Sequence, residues 1–190
     1  MPAAARRENM TGSQRVKDSG SLAIETRGLV KRFGDHAAVD GLDLRVEQGT
    51  FYGLLGPNGA GKSTTVSLLT GMRLPTAGTI RLLERDLDPD DPQTKAAIGV
   101  VTEEPPLFDR LTGVEQLMFT ARMYGLSRDT ARQRTADLLG LLGLTRAGDT
   151  LVADYSRGMR KKIAIGCALV HGPRILFFDE PFEGVDALSG

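Results

Sequence analysis

A nine-residue stretch constrains this chain more than any other part of it. In order, its residues are Gly56, Pro57, Asn58, Gly59, Ala60, Gly61, Lys62, Ser63 and Thr64. The glycines allow backbone conformations that side chains forbid, so successive N–H groups can surround a polyphosphate at a helix N-terminus. Lys62 would supply a positive charge to the terminal phosphates, and Ser63 a hydroxyl to Mg²⁺. The stretch predicts a phosphate-binding loop, because a plain glycine-rich turn needs neither the lysine nor the two hydroxyls.

Charge and composition argue against several other kinds of site. Lys plus Arg and Asp plus Glu both number 24, so no basic field recruits nucleic acid, and nucleic acid is not expected as a partner. Cys167 is the one cysteine and there are two histidines, which argues against a disulfide framework and a His or Cys metal cluster. Residues 1–20 are small, polar and charged and predict a flexible tail. No window reaches the 18 apolar residues of a membrane-spanning helix, so another chain would anchor this one at a membrane.

The apolar pattern from Ser21 to the loop predicts strands. Near-alternation over residues 22–30 and 39–46, with a turn at 33–35, predicts an antiparallel pair. The apolar run from Phe51 to Leu55 predicts a strand in the interior of a sheet. Residues 62–70 then predict a helix that stops at Gly71. Strand, loop and helix together would form a nucleotide-binding core.

The pattern changes to helical after the proline pair at 105–106. Short strands are predicted at 78–83 and 98–101, and apolar residues then recur at i, i+3, i+4 and i+7. A helical subdomain is therefore predicted at about 105–170. Its apolar stripes are interpreted as core and not as a cofactor site.

An acidic pair follows the last apolar run. Residues 175–178 are four bulky apolar residues, which predict a strand buried on both faces, and Asp179 and Glu180 come directly after it. In open parallel sheets, ligands bind at the carboxyl ends of strands. Since neighbouring side chains on a strand point opposite ways, one carboxylate can hold Mg²⁺ while the other reaches a water near the terminal phosphate. The alternative is that both carboxylates merely solvate the strand end.

These motifs, with Tyr155 to Met159 between them, agree in order and spacing with one family. From about Ser21 to Gly190 the chain resembles the ATP-binding subunit of an ABC transporter. The resemblance implies an α/β P-loop NTPase fold of the ABC type, with an antiparallel β region and an inserted α-helical subdomain. It also implies that residues 56–64 are the Walker A loop, 178–180 end the Walker B strand, Phe33 stacks on adenine, and Asp186 lies in the D-loop.

The family likeness extends to the signature that closes over the ATP of a partner subunit. Its counterparts here are Ser156, Arg157, Gly158 and Met159. They imply a head-to-tail dimer with a second ABC ATPase subunit, identical or different, and two ATP molecules between the subunits. Ser156 at a helix start would present a hydroxyl and free N–H groups to an anion, and it would serve equally as a plain N-cap. Tyr155, Arg157 and Met159 depart from the Leu-Ser-Gly-Gly-Gln pattern, and the Tyr-Ser-x-Gly-Met form resembles bacterial exporters.

Two further departures concern the metal and the carboxyl end. The glutamine that the family carries after strand 98–101 is here Glu103, which could act as a Mg²⁺ ligand because Mg²⁺ favours anionic oxygen. The family also places a switch histidine beyond the D-loop, and the sequence stops at Gly190. His171 precedes the Walker B strand and is not that residue. The chain is therefore expected to be incomplete at its carboxyl end.

The function implied is ATP hydrolysis that powers transport, with export favoured. Lys62 and Glu180 would be catalytic, Ser63 and Asp179 would orient Mg²⁺, and an integral membrane permease would dock near residues 103–111 at the cytoplasmic face. One alternative is a soluble ABC ATPase acting on ribosomes or DNA, which normally carries two modules or long coiled coils. Another is a P-loop small-molecule kinase, which would leave residues 155–159 unexplained.

Overall fold

The computed structural model describes residues 21–179, which belong to two compact units that divide between Thr94 and Lys95. The predicted tail at 1–20, Glu180 and Asp186 lie outside the described residues.

The first unit is built on a four-stranded antiparallel sheet. Strands β1 (Leu22–Phe33) and β2 (His36–Glu47) form the predicted hairpin, with Phe33 opposite His36 across a two-residue turn. Strands β3 (Ala77–Leu82) and β4 (Arg85–Asp86) complete the order β2-β1-β3-β4.

Helix α1 (Lys62–Leu69) follows the glycine-rich loop, as predicted. It ends at Thr70, and Gly71 takes a positive φ of 72° that a side chain would resist. Leu68 and Leu69 are buried, so the helix is held by its apolar face.

The predicted strand from Phe51 to Leu55 is wrong. None of the strands described in residues 21–179 includes this run, and within it Gly53 alone makes a bridge. Phe51 is fully exposed and Leu55 is 57% exposed. An apolar run favours burial of its side chains. A strand also needs a neighbouring strand to pair with its backbone N–H and C=O groups. The described strands pair with one another and not with this run.

The second unit combines a parallel strand pair with helices. Helix α2 (Pro92–Ala97) spans the division and leads into β5 (Ile98–Val101), which pairs in parallel with β6 (Ile175–Phe178). Between the two strands lie α3 (Gly113–Met123), α4 (Arg128–Leu141), α5 (Arg157–Leu169) and short 3₁₀ turns at Thr145–Ala147 and Val152–Asp154. All three helices fall within the range predicted to be helical.

The three helices share one apolar core, and α5 docks closely on β5. The core cluster consists of Leu117, Leu139, Leu144, Tyr155 and Ile163. At Gly99 a Cβ would lie 2.2 Å from the Ala168 carbonyl oxygen, so only glycine permits this approach of α5 to β5. Helix α5 therefore lies directly against the strand pair.

His171 joins the end of α5 to β5. Its Nε2 lies 2.9 Å from the Ile98 carbonyl oxygen, and since a carbonyl only accepts, Nε2 carries the hydrogen. The ring stacks on Tyr124 at a centroid distance of 3.7 Å. Burial lowers the pKa of His171, so the neutral ring suits this structural position.

Strand β6 is buried on one face, and the prediction of burial on both faces is wrong for the described residues. Ile175 and Phe177 are buried, whereas Leu176 and Phe178 are 39% and 40% exposed. Successive side chains on a strand point to opposite faces, and among residues 21–179 β6 pairs only with β5.

A ladder of alternating charges crosses the antiparallel sheet. Glu25 on β1 lies opposite Arg45 on β2 and Arg81 on β3, and Arg81 lies opposite Asp86 on β4. The Glu25 carboxylate is 3.1 Å from Arg45, 3.7 Å from Arg81 and 3.0 Å from Arg27, while the Glu25 side chain is 8% exposed. Opposite charges on facing residues stabilise a sheet, so Glu25 links three strands.

We predict that Glu25→Gln lowers the thermal midpoint at neutral pH, because three guanidinium groups lose their shared carboxylate. The hydrogen bond from Arg27 is the main cause that holds the pKa of Glu25 below its ordinary value. The ionised carboxylate therefore stabilises the fold above the unfolded-state pKa, and this contribution is lost as pH falls through the folded-state pKa. Thermal melts of both proteins should converge in acid.

The matched control is Asp86→Asn, because the Asp86 side chain is 90% exposed and contacts Arg81 alone among these arginines. A smaller shift is expected there, since exposed ion pairs contribute little. An equal shift in the control, or a Glu25→Gln difference that persists in acid, would contradict the role of the ladder.

Candidate phosphate-binding site

Lys62 lies across the glycine-rich loop that precedes its helix. Its Nζ donates to the carbonyl oxygens of Gly56 at 2.9 Å and Pro57 at 3.0 Å. Within the loop, the Ala60 N–H also donates to the Pro57 oxygen at 3.1 Å. An ammonium group has three N–H donors. Two of them bind the Gly56 and Pro57 carbonyls, so the positive charge is held beside the backbone of the loop.

Gly61 fixes where the loop ends and α1 begins. It has a φ of 82°, and a Cβ at this position would lie 2.2 Å from the Ala38 carbonyl oxygen on β2. Both the left-handed backbone and the close approach require glycine. The Gly61 carbonyl accepts from the Thr65 N–H at 2.8 Å and the Thr65 hydroxyl at 2.9 Å. The loop is therefore fixed to the antiparallel sheet.

Phe33 lies at the tip of β1 in the same unit as the loop. Its side chain is 44% exposed, and the cationic groups of Lys31 and Arg73 lie 5.4 Å and 5.5 Å from the ring centroid. Lys31 also donates to the Leu74 carbonyl at 2.7 Å, which ties the segment after α1 to the tip of β1. This is an exposed aromatic surface with two positive charges beside it, a setting that suits a base attached to phosphates.

Two of the predicted acidic residues, Asp179 and Glu103, follow the carboxyl ends of the paired strands β6 and β5. The Asp179 N–H donates to the Val101 carbonyl at 2.9 Å, so Asp179 continues the pairing at the carboxyl ends of β5 and β6. Glu103 is exposed two residues after β5 ends. Within residues 21–179 no group of three or more His, Cys, Asp or Glu side chains could hold a metal ion. Mg²⁺ is commonly held by one or two carboxylates together with substrate phosphates, and Ser63, exposed in the first turn of α1, and Asp179 fit that donor type.

Ser156 is the N-cap of α5, as predicted. Its hydroxyl accepts from the Met159 N–H at 3.3 Å. Arg157 and Gly158 are exposed in the first turn, which contains no acidic residue. Positive side chains at a helix N-terminus add to the positive end of the helix dipole, so this exposed turn favours an anion.

Tyr155 has a different role from its neighbours in the motif. Its ring is 5% exposed in the helical core, and its hydroxyl donates to the Ala147 carbonyl at 2.7 Å. A Cβ at Gly113 would lie 2.1 Å from that hydroxyl, so the hydroxyl fits there because the first residue of α3 is glycine. The departure from leucine at this position therefore serves packing and a hydrogen bond, a role that the sequence did not indicate.

The sequence also missed the contact between Asp109 and Arg160. An Arg160 nitrogen lies 2.7 Å from an Asp109 carboxylate oxygen, although 51 positions separate the two residues. A basic residue so near a helix N-terminus is electrostatically unfavourable. That placement was the available signal that Arg160 needs an acidic partner.

Comparison with known proteins gives a consistent result. A sequence profile described as ABC transporter matches residues 39–183. The daunorubicin/doxorubicin resistance ATP-binding protein DrrA of Streptomyces peucetius is 43% identical over 167 residues, 88% of this chain and 51% of its own length. The Nod factor export ATP-binding protein I of Cupriavidus metallidurans is 38% identical over 163 residues, 86% of this chain and 54% of its own length.

The chain thus spans about half the length of these curated relatives. Among solved structures, an ATP-binding subunit of an ABC transporter superposes with a TM-score of 0.77 at 31% identity. The superposition covers 84% of this chain and 67% of that one.

We predict that Tyr155→Phe lowers the free energy of unfolding by about 1 kcal/mol, because the half-buried Ala147 carbonyl loses the Tyr155 donor and keeps the Thr150 N–H, while the ring stays in place. Urea denaturation measures the change. Tyr124→Phe is the control, since Tyr124 is 40% exposed and contributes through ring stacking. Equal losses in the two variants would show that the Tyr155 hydroxyl has no special role.

Proposed function

This chain belongs to the ABC transporter family as an ATPase module, and we propose that its ATP hydrolysis powers export through a separate membrane subunit. We further propose that residues 21–190 form one nucleotide-binding domain with a helical subdomain at about 105–170. Both the predicted fold class and the family resemblance are confirmed by the profile match and the structural superposition.

The observation that carries the proposal is the geometry of the loop at 56–64. A glycine-restricted backbone, a lysine across the loop and the N-terminus of α1 lie together in one segment fixed to the sheet. Backbone amides, an ammonium group and a helix dipole all attract the same ligand, a polyphosphate. The amides and Lys62 would hold the terminal phosphates of ATP, and Phe33 would stack on the adenine.

We assign Mg²⁺ to Ser63 and Asp179, with Glu103 as a further candidate ligand. The ion would neutralise phosphate charge as the terminal phosphate is transferred. Glu180 would polarise the attacking water, because successive side chains on a strand point opposite ways, so one carboxylate can serve the metal while the next serves the water. Lys62 would stabilise the charge that develops on the phosphate oxygens.

We assign the exposed first turn of α5 to the ATP of a second ABC subunit. Ser156, Arg157, Gly158 and Met159 would contact its phosphates, and Asp186 would lie at the same dimer interface. Support comes from the exposed residues and the absence of an acidic side chain in that turn. The active unit would be a head-to-tail dimer, and opening after hydrolysis would release the products.

We place the membrane subunit against the loop at 103–111 and the helices beside it. Phe108 and Phe119 are 52% and 42% exposed and form an edge-to-face pair, an apolar contact surface of the kind that a partner covers. In residues 21–179 no helix is long and apolar enough to cross a bilayer. We propose that the chain binds this membrane subunit at the cytoplasmic face. The relatives named for drug resistance and Nod factor export favour export.

We predict that Lys62→Ala weakens ATP binding by at least about tenfold, because hydrogen bonds to charged groups are among the strongest in proteins. The fold should survive, since the hydrogen bonds of the Lys62 side chain to residues 21–179 go to carbonyls of an exposed loop. Circular dichroism and ATP titration measure the two properties. Lys95→Ala, a matched change at an exposed lysine on α2, should bind ATP like the wild type. A folded Lys62→Ala protein with wild-type affinity would refute the assignment of the loop.

A further inference from the structure

Two distant segments of the second unit are paired through their backbones. The Val152 N–H donates to the Leu111 carbonyl at 2.8 Å, and the Ala153 N–H donates to the Asp109 carbonyl at 3.1 Å. A bridge between Thr112 and Leu151 extends this pairing. The loop at 109–112 and the segment that leads into Ser156 therefore form one continuous piece of structure.

Arg160, on α5, binds both of these paired segments through its side chain. Its guanidinium donates to the Asp109 carboxylate at 2.7 Å and to the Val152 carbonyl at 3.0 Å. The Arg160 N–H donates to the Ser156 carbonyl at 2.9 Å, so the guanidinium is one helical turn from the N-cap. One side chain thus connects the 109–112 loop, the 3₁₀ turn at Val152–Asp154 and the start of α5.

The energetics favour a positioning role for this ion pair over a role in stability. The Arg160 and Asp109 side chains are 34% and 63% exposed, and exposed ion pairs contribute little to stability. Arg160 also lies near the N-terminus of α5, where a positive charge is unfavourable without a partner. Asp109 offsets that charge only while the loop and the helix keep their present spacing.

Phe108, the residue before this loop, contributes to an exposed aromatic surface. The Phe108 N–H donates at 2.9 Å to the side-chain oxygen of Gln116, which is 3% exposed. The Phe108 ring packs edge-to-face on Phe119 with a centroid distance of 5.2 Å. Phe108 is therefore held in place by Gln116 and Phe119. A partner that contacts Phe108 would act directly next to Asp109.

We propose that Asp109 and Arg160 are positioning residues that transmit the binding of the membrane subunit at Phe108 to Ser156 and Gly158. This inference rests on the proposed function. The membrane subunit displaces the loop, Asp109 moves with it, and Arg160 carries the displacement into the first turn of α5. Neither side chain touches ATP. The ion pair therefore sets the rate of hydrolysis in the complex and not the affinity for ATP.

The test uses the full natural protein copurified with its membrane subunit in phospholipid vesicles, with steady-state ATPase kinetics as the readout. Asp109→Asn and Arg160→Gln should lower kcat about fivefold or more, in the range usual for coupling between sites, and leave KM for ATP unchanged. Arg160→Lys keeps the charge and should retain a higher kcat than Arg160→Gln, although it loses the forked geometry.

Asp137→Asn is the matched control, because it breaks an exposed contact with Gln133 within α4. It should match the wild type, and the thermal midpoints of all variants should lie close together. Wild-type kcat in both ion-pair variants, or a raised KM with unchanged kcat, would overturn the inference and leave the proposed function intact. A wild-type complex that binds no ATP would overturn the proposed function and the inference with it.

Discussion

The close approach of Gly61 to β2 is the constraint on which the phosphate-binding site depends. The backbone there is left-handed, and a Cβ would lie 2.2 Å from the Ala38 carbonyl oxygen. Any side chain would force the start of α1 away from the sheet, and the loop before it would lose its anchor. The glycine that the phosphate-binding pattern requires is thus also the glycine that the packing requires. Lys62, the next residue, is placed by the same junction.

Local patterns in the sequence were sufficient for much of the fold. Alternation predicted the β1–β2 hairpin, Gly71 predicted the end of α1, and the change of apolar period after residue 105 predicted helices. The run from Phe51 to Leu55 failed because apolar character reports the preference of side chains, whereas a strand also depends on the neighbour that accepts its backbone hydrogen bonds. Burial on both faces of β6 failed because an apolar run does not show which elements pack against each face of a strand, and Leu176 and Phe178 share one exposed face.

Contacts between distant residues were beyond the reach of the sequence. Tyr155 and Ala147 are joined by a hydrogen bond, and Asp109 and Arg160 by an ion pair across 51 positions. The apolar periodicity of the sequence does not indicate such pairs. As a result, the signature could be recognised as a motif and Ser156 as an N-cap, but the packing of Tyr155 in the helical core could not be predicted. The roles assigned to Ser63, Asp179 and Glu103 likewise remain predictions.

The most direct measurement of the central claim is an experimental structure of the full natural protein with Mg²⁺ and a non-hydrolysable ATP analogue. The account predicts the triphosphate inside the loop at 56–64, with Lys62 Nζ within hydrogen-bonding distance, about 3 Å, of a terminal phosphate oxygen. It also predicts Ser63 and Asp179 oxygens around the metal. A triphosphate bound elsewhere, or a Lys62 that contacts only the carbonyls of Gly56 and Pro57 beside a bound analogue, would contradict the account.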